Sequence, residues 1–401
     1  MHLTCKYFAL VYHLDPGPFS TFNRLIHADM IVEVCQKKDA EKFFGLPERL
    51  YKKDPSWIAV LEDDLEAVFD PARNHRFQQG ECCRWLAVNG KGETIGRIAA
   101  FIDYKKTAEE ANPVGGFGFF ECIANEAVAH QLFDTAKAWL QSRNMKAMEG
   151  PENFGENDRF WGLLVDGFRP PSYGMNYNPP FYMKFFESYG FKRLYDQLTN
   201  VLDATQPLPE RFNKIADWVM QKPGYHFEHF RLKDKEKFFR DFVEIYNDAW
   251  ASFHDFYPLD VDTIRESFRQ MEPLADEKII WFAYHNDEPV SFILCMPDAN
   301  QILKHVHGKL NFFNKIRFLW HRQFSKVDRL RIVVMGCKQR FQNHGMESAL
   351  IRCLQSEVLP RNTIKEVELA WVGDFNKKML ALHYATGARR SKVHRTYRFD
   401  F

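Results

Sequence analysis

Two β-hairpins, about half a chain apart, carry one pattern, and this duplication limits the folds open to the sequence. In the first, Arg84–Val88 (RWLAV) meets a Gly/Asn/Lys turn and then Thr94–Ile102. In the second, Ile280–Tyr284 (IWFAY) meets a turn at 285–288 and then Val290–Cys295. β-Branched and aromatic runs bounded by turn formers read as hairpins. Trp85 and Trp281 hold equivalent places, as do Ala87 and Ala283. The segments Glu187–Lys192 and Tyr384–Arg389 also match, each around one glycine, Gly190 and Gly387. A repeat of this length is a whole domain present twice.

The elements around the hairpins extend the match. The first repeat reads as a strand at 30–35, helices at 38–45 and 62–68, the hairpin, and a strand at 117–121. A helix at 126–143, a strand at 146–149, a helix at 181–189 and strands at 191–202 complete it. The second repeat gives a strand at 226–231, helices at 235–250 and 261–271, its hairpin, and a strand at 331–337. It continues with a helix at 345–356, a strand at 367–371, a helix at 376–385 and strands from 388. The expected class is α/β (α+β), with two tandem domains, each a mixed, mainly antiparallel sheet flanked by helices. The expected boundaries are 30–203 and 226–401, with a linker at 204–225 carrying one helix near 209–221. Residues 1–29 read as an extension, with Met30 an alternative start.

One stretch reads as a site for a phosphorylated ligand. An apolar strand, Arg331–Cys337, meets a loop with Lys338, Arg340, Gln342 and His344, and then a helix opening at Gly345. A helix N-terminus offers unpaired N–H groups and a partial positive charge, and glycine lets the backbone approach the ligand. An ordinary strand–turn–helix connection has the same outline.

This stretch resembles the acyl-CoA-binding signature of the GNAT superfamily of N-acyltransferases, Gln/Arg-x-x-Gly-x-Gly/Ala. Gln342 and Gly345 match it, and Glu347 stands where a small residue is expected. The element order of each repeat is also that of a GNAT domain. Over about 30–401 the chain is similar to a bacterial tandem-GNAT family, on segments such as Leu46-Pro47, Tyr51, Asp54-Pro55, Gly96-Arg97-Ile98, Gly150-Pro151 and Tyr177-Asn178-Pro179. The resemblance implies acyl transfer from acetyl-CoA or a longer acyl-CoA to a small-molecule or peptide amine, by direct attack in a ternary complex. It places pantetheine along Gly336, Cys337 and Lys338. It places the diphosphate over Arg340, Gln342, Asn343, His344, Gly345 and Met346, with Asn376 touching the same ligand. In the first repeat the stretch Cys122–Ala129 that follows Glu121 has no glycine or basic residue, and Glu126 opens the helix there, so it reads as having lost this site. A non-catalytic acyl-CoA- or partner-binding protein, or a transferase fed by an acyl-carrier protein, has the same outline.

The chemistry needs a base for the ammonium and an acid for the leaving thiolate. Glu368 is the first base candidate, because alternation puts it opposite the apolar face of its strand. Many GNAT enzymes carry a Tyr where this chain has His383; Tyr384 follows it, about 100° further round the helix. Glu121, at the end of its strand, and Asn153, Tyr177 and Asn178, on long irregular loops, are candidates for the acceptor pocket; internal docking loops have the same composition.

Net charge is +1, which gives no reason to expect a nucleic-acid footprint or a polybasic membrane patch. No apolar run approaches the ~20 residues of a membrane-spanning helix. The eight cysteines lack zinc or C-x-x-C spacing, and His305 and His307 alone make a poor metal site. Reduced thiols fit a cytoplasmic protein without a metal. Oligomeric state is not legible.

Overall fold

The computed structural model describes residues 28, 30–108, 110–155, 157–252 and 256–401. The expected extension at 1–29 lies outside them, apart from Ala28. The described residues form two compact units: one up to Asp196 with 307–309 and His394–Phe401, the other Gln197–Val306 with Leu310–Val393.

The chain runs β1 (Met30–Glu33), α1 (Lys37–Leu50), α2 (Glu62–Phe69), β2 (Gly80–Val88), β3 (Thr94–Asp103), α3 (Tyr104–Thr107) and β4 (Val114–Cys122). Next come α4 (Glu126–Gln141), β5 (Ala147–Gly150), β6 (Leu163–Asp166), α5 (Tyr182–Tyr189) and β7 (Lys192–Asp203). The later elements are α6 (Glu210–Met220), β8 (Tyr225–His229), α7 (Lys235–Trp250), α8 (Val261–Met271), β9 (Ile280–His285), β10 (Glu288–Pro297) and α9 (Asn300–Leu303). The chain ends with α10 (Phe312–Phe324), β11 (Arg329–Cys337), α11 (Met346–Val358), β12 (Glu366–Glu368), β13 (Val372–Gly373), α12 (Lys377–Ala385) and β14 (Arg389–Asp400).

In the first unit β1, β2, β3 and β4 pair antiparallel in order, and β4 pairs parallel with β5. In the second, β8, β9, β10 and β11 do the same, and β11 pairs parallel with β12. The reason is visible in the side chains. β3 and β10 are buried along nearly their whole length, as central strands must be. Helices bury one stripe against them: Leu132, Ala136 and Leu140 of α4 in one unit, Leu350, Leu354 and Val358 of α11 in the other. Each fully buried aliphatic side chain contributes ~1.5–3 kcal/mol.

The closing strands are exchanged. The first unit's sheet is completed beyond β5 by residues 397–400 of β14, with Tyr397 opposite Gly150. The second unit's sheet is completed beyond β12 by residues 201–203 of β7, with Leu202 opposite Val367. Residues 197–198 of β7 pair with β13. Each filled edge removes a row of unpaired N–H and C=O groups. The strand expected at 367–371 is split: β12 ends at Glu368, and β13 resumes at Val372 with its register against β7 shifted by one residue.

Candidate active site

Both units splay open between their central parallel strands, but only one slot is left open along its edge. In the second unit β11 pairs with β12 only over Arg329–Arg331 and then leaves it. From Ile332 onward β11 pairs with β10 alone, among the described residues, and the register slips at Val333. The Lys338 N–H donates to the Val290 carbonyl, 2.9 Å. Antiparallel alternation therefore turns the N–H groups of Met335 and Cys337 towards the slot. Of the three residues expected along pantetheine, Lys338 and Gly336 turn their N–H groups towards β10, and only Cys337 turns its N–H to the slot. Gln342 Nε2 reaches the Cys337 carbonyl at 3.3 Å, across the top of the strand.

The slot leads to the N-terminus of α11. Gly345 stands at its N-cap with φ +88°, and no side chain caps the first turn. In the first unit the equivalent helix, α4, is capped by its own Asn125, whose Oδ1 accepts the Val128 N–H at 3.3 Å. The first unit's slot is also filled. Glu152 donates its N–H to the Phe117 carbonyl at 2.8 Å. A Cβ at Gly118 would meet the Glu152 carbonyl at 1.9 Å, so the chain at 151–154 lies directly on β4.

The loop before α11 is less basic than its sequence. Lys338 is buried and ion-paired with Glu244 and Glu288 (2.8 Å to Glu288), and Arg340 pairs with the same Glu288. Asn343, at φ +67°, and His344 are exposed, with His344 edge-on to Phe341. Met346 is wholly buried, so only its N–H faces the helix mouth. Burial raises the carboxyl of Glu347 above its ordinary value, opposed by its backbone hydrogen bond and His344. Burial also pushes the Cys337 thiol up to about 12, leaving it uncharged. Asn376 Oδ1 caps α12 at Met379, 3.1 Å.

The three catalytic candidates part company. Glu368 is 2% exposed and ion-paired with the equally buried Lys392. Burial alone would raise its carboxyl; Lys392, Arg331 and Arg329 override that and hold it at about 2. A carboxylate so acidic has little appetite for a proton, the opposite of what a general base needs. His383 is buried, and its Nδ1 lies 3.1 Å from Asn200 Nδ2. Burial lowers its imidazole to about 4, so it is neutral near pH 7. Tyr384 faces outward, 52% exposed.

Sequence reasoning missed the polar groups beside them. Gln197, Thr199 and Asn200 of β7 are at most 1% exposed, and Gln197 Oε1, Thr199 Oγ1, Asn200 Oδ1 and Glu368 Oε1 have no hydrogen-bond partner among the described residues. Glu368 lies opposite Val201, so alternation puts it on the sheet face of Thr199 and Gln197. Buried orphan acceptors are costly unless a ligand or water meets them. The available signal is weak: polar residues at 197 and 199 flank Leu198 in a strand that is itself rich in polar residues. On the α11 side of the sheet lies a mostly apolar cavity of ≈ 160 Å³, lined by Leu202, Leu208, Ile332, Ile351, Leu354 and Val367 among others.

The first-unit candidates are held by that unit itself. Asn178 is spent on the Leu164 N–H and on two carbonyls, and Tyr177 donates to Asp54 at 2.7 Å. Asn153 has a buried Oδ1 without a hydrogen-bond partner among the described residues. Glu121 lies 2.6 Å from Tyr51 Oη, 3.0 Å from Tyr182 Oη and 4.0 Å from Arg97. Burial raises its carboxyl from the usual 4.5 to about 7 against the pull of Arg97 and the two tyrosines. Its folded value lies above the unfolded one, so its contribution is fully present below about pH 4.5 and is lost as pH rises through 7. Glu121→Gln is therefore expected to gain on wild type by up to about 3 kcal/mol on going from mildly acidic to mildly basic pH. Denaturant midpoints across that range check it; a gap that does not change with pH contradicts it.

No family model matches the chain. It is 27% identical, over 386 residues, to a bacterial ceramide synthase of Caulobacter vibrioides (strain NA1000 / CB15N), covering 95% of this chain and 99% of that one. It is 26% identical, over 387 residues, to protein YghO of Escherichia coli (strain K12), covering 94% and 96%. A tandem GNAT protein from the clavulanic acid biosynthesis pathway superposes with a TM-score of 0.52 over 92% of this chain and 98% of that one, at 10% identity. With its two splayed units in series, the chain has the tandem GNAT acyltransferase fold.

Proposed function

We propose that the protein is an N-acyltransferase that moves a long acyl group from acyl-CoA to the primary amine of a long-chain amino alcohol. The observation that carries this reading is the open edge of β11 running into the uncapped, glycine-headed N-terminus of α11. Such an edge pairs with the amides of pantetheine, and the helix mouth takes the diphosphate. Ile332, where β11 leaves β12, also lines the apolar cavity, which favours an acyl chain longer than acetyl. The likeness to a ceramide synthase along nearly the whole chain favours an acceptor of the sphingoid kind.

The amine lone pair attacks the thioester carbonyl carbon, and the oxyanion is met by N–H groups on the slot side of β11, those of Met335 and Cys337. The C–S bond then breaks: CoA leaves as the thiolate, the nitrogen sheds its second proton through water to that thiolate, and the amide is released. Gln197 and Thr199, on the sheet face of Glu368, supply acceptors for the ammonium or hydroxyl of the acceptor substrate. Neither Glu368 nor His383 has the basicity to strip the ammonium, so its proton leaves to water, and the rate follows the free-amine fraction. Incubating the purified chain with a long-chain acyl-CoA and sphinganine is expected to release free CoA and amide in equal amounts. Absence of both, across acyl lengths, sinks the reading.

One observation favours a second donor. Glu244 and Glu288 neutralise Lys338 and Arg340, so the loop brings little positive charge to a diphosphate. The phosphopantetheine of an acyl-carrier protein lacks that group. Turnover with acyl-carrier protein that CoA does not inhibit would select this donor.

A further inference from the structure

The described residues contain one helix whose apolar side faces nothing. α10 contributes no buried residue. Phe312, Phe313, Ile316, Leu319, Trp320 and Phe324 are 71, 79, 52, 54, 57 and 68% exposed. At 100° per residue these six fall within an arc of about 140°. Lys315 lies on one margin of that arc and Arg317 on the other. The opposite side is tied down: Asn314 Nδ2 donates to the Val306 carbonyl at 3.1 Å, and His321 stacks on His305 at 3.7 Å. Asn311 caps the helix by accepting the Asn314 N–H at 3.0 Å. The helix is thus held in place with its greasy face outward.

Charge says what covers that face. Between Asp298 and Asp328 the sequence contains no Asp or Glu, but it holds Lys304, Lys309, Lys315, Arg317, Arg322 and Lys326. This local excess is hidden in a chain of net charge +1, so the absence of a polybasic patch expected from total charge does not hold for this segment. A second copy of the same face would bring the same sign of charge, which opposes self-association. Thirteen residues make a helix of about 20 Å, too short to cross a bilayer. Aromatic residues flanked by Lys and Arg suit the boundary between headgroups and acyl chains.

We propose that α10 docks the protein on the surface of an anionic lipid bilayer, lying flat with its six apolar side chains at the headgroup–acyl boundary and its basic margins on the phosphates. This does not rest on the acyl-transfer reading, and its test needs neither acyl-CoA nor an amine. The full chain is sedimented with phosphatidylcholine vesicles, with and without phosphatidylglycerol. Wild type is expected to pellet with the anionic vesicles and to be released by salt. Lys315→Ala with Arg322→Ala is expected to weaken partitioning on the order of 30-fold. Phe313→Ser with Trp320→Ser and Phe324→Ser is expected to abolish pelleting. Both variants should keep the wild-type melting temperature, because the replaced side chains are exposed. Wild type that stays in solution, or variants that pellet equally, overturns the proposal. So does a wild-type dimer that the apolar variant dissociates and that ignores vesicles.

Discussion

Glu368→Ala is expected to destabilise the protein by ~3–5 kcal/mol, because it breaks a buried ion pair. The carboxylate sits in β12 at 2% exposure, against Lys392 at 2%, with Arg329 and Arg331 adding to the field that keeps it ionised. Arg329 has a second partner in Asp298, 2.6 Å away. Lys392 is left with a desolvated charge and no carboxylate. Removing both members of the pair, Glu368→Met with Lys392→Met, is expected to recover most of the loss, since isosteric apolar replacement of a buried pair is often near neutral. The pH dependence has the opposite sign to that of Glu121. The folded value of Glu368 is depressed, so its stabilisation is present above the unfolded value near 4.5 and is lost as pH falls towards 2. Urea unfolding of the single and double variants measures all of this. A single variant that folds as well as wild type and loses only turnover would make Glu368 the base after all.

Gly345→Val is expected to abolish the stabilisation that acyl-CoA confers. Wild type should gain about 2.7 kcal/mol at a ligand concentration one hundred times Kd. Gly345 sits at φ +88°, and a β-branched residue there is strained by ~1–2 kcal/mol. The new side chain would also crowd the N–H groups of the first turn of α11, and its Cβ would come 2.8 Å from Val219. Asparagine adopts this backbone more readily but brings the same Cβ against Val219, so Gly345→Asn removes most of the backbone strain and keeps the crowding: it should be more stable than Gly345→Val and still bind weakly. Thermal shifts with and without ligand report the difference. A Gly345→Val protein that is stabilised as much as wild type would remove α11 from the binding site.

The sequence told much about the elements and little about their surroundings. Period and turn chemistry located α7 and α8 to the residue and β11 to within two, because Phe238, Phe239, Ile245 and Ala249 mark one helical face and Gly345 marks a break. The duplicated hairpins gave the order of the two sheets. Pattern did not reveal that 197–203 completes the second unit and 394–401 the first, since strand pairing is a long-range property. The environment of Glu368 was hidden for the same reason: Arg329, Arg331 and Lys392 come from two other strands. The acids that silence Lys338 and Arg340 lie on α7 and at the start of β10, far from the loop in sequence. The bare face of α10 was hidden too, because composition does not say which side of a helix is left uncovered.

The central claim is that the second unit holds the acyl donor along β11 and at the mouth of α11, while the slot of the first unit is filled by its own chain. Hydrogen–deuterium exchange on the full chain, with and without saturating long-chain acyl-CoA, tests it most directly. The account predicts that amides at 332–348 slow on adding ligand and that those at 114–126 do not. Protection at 114–126, or none at 332–348, would contradict it.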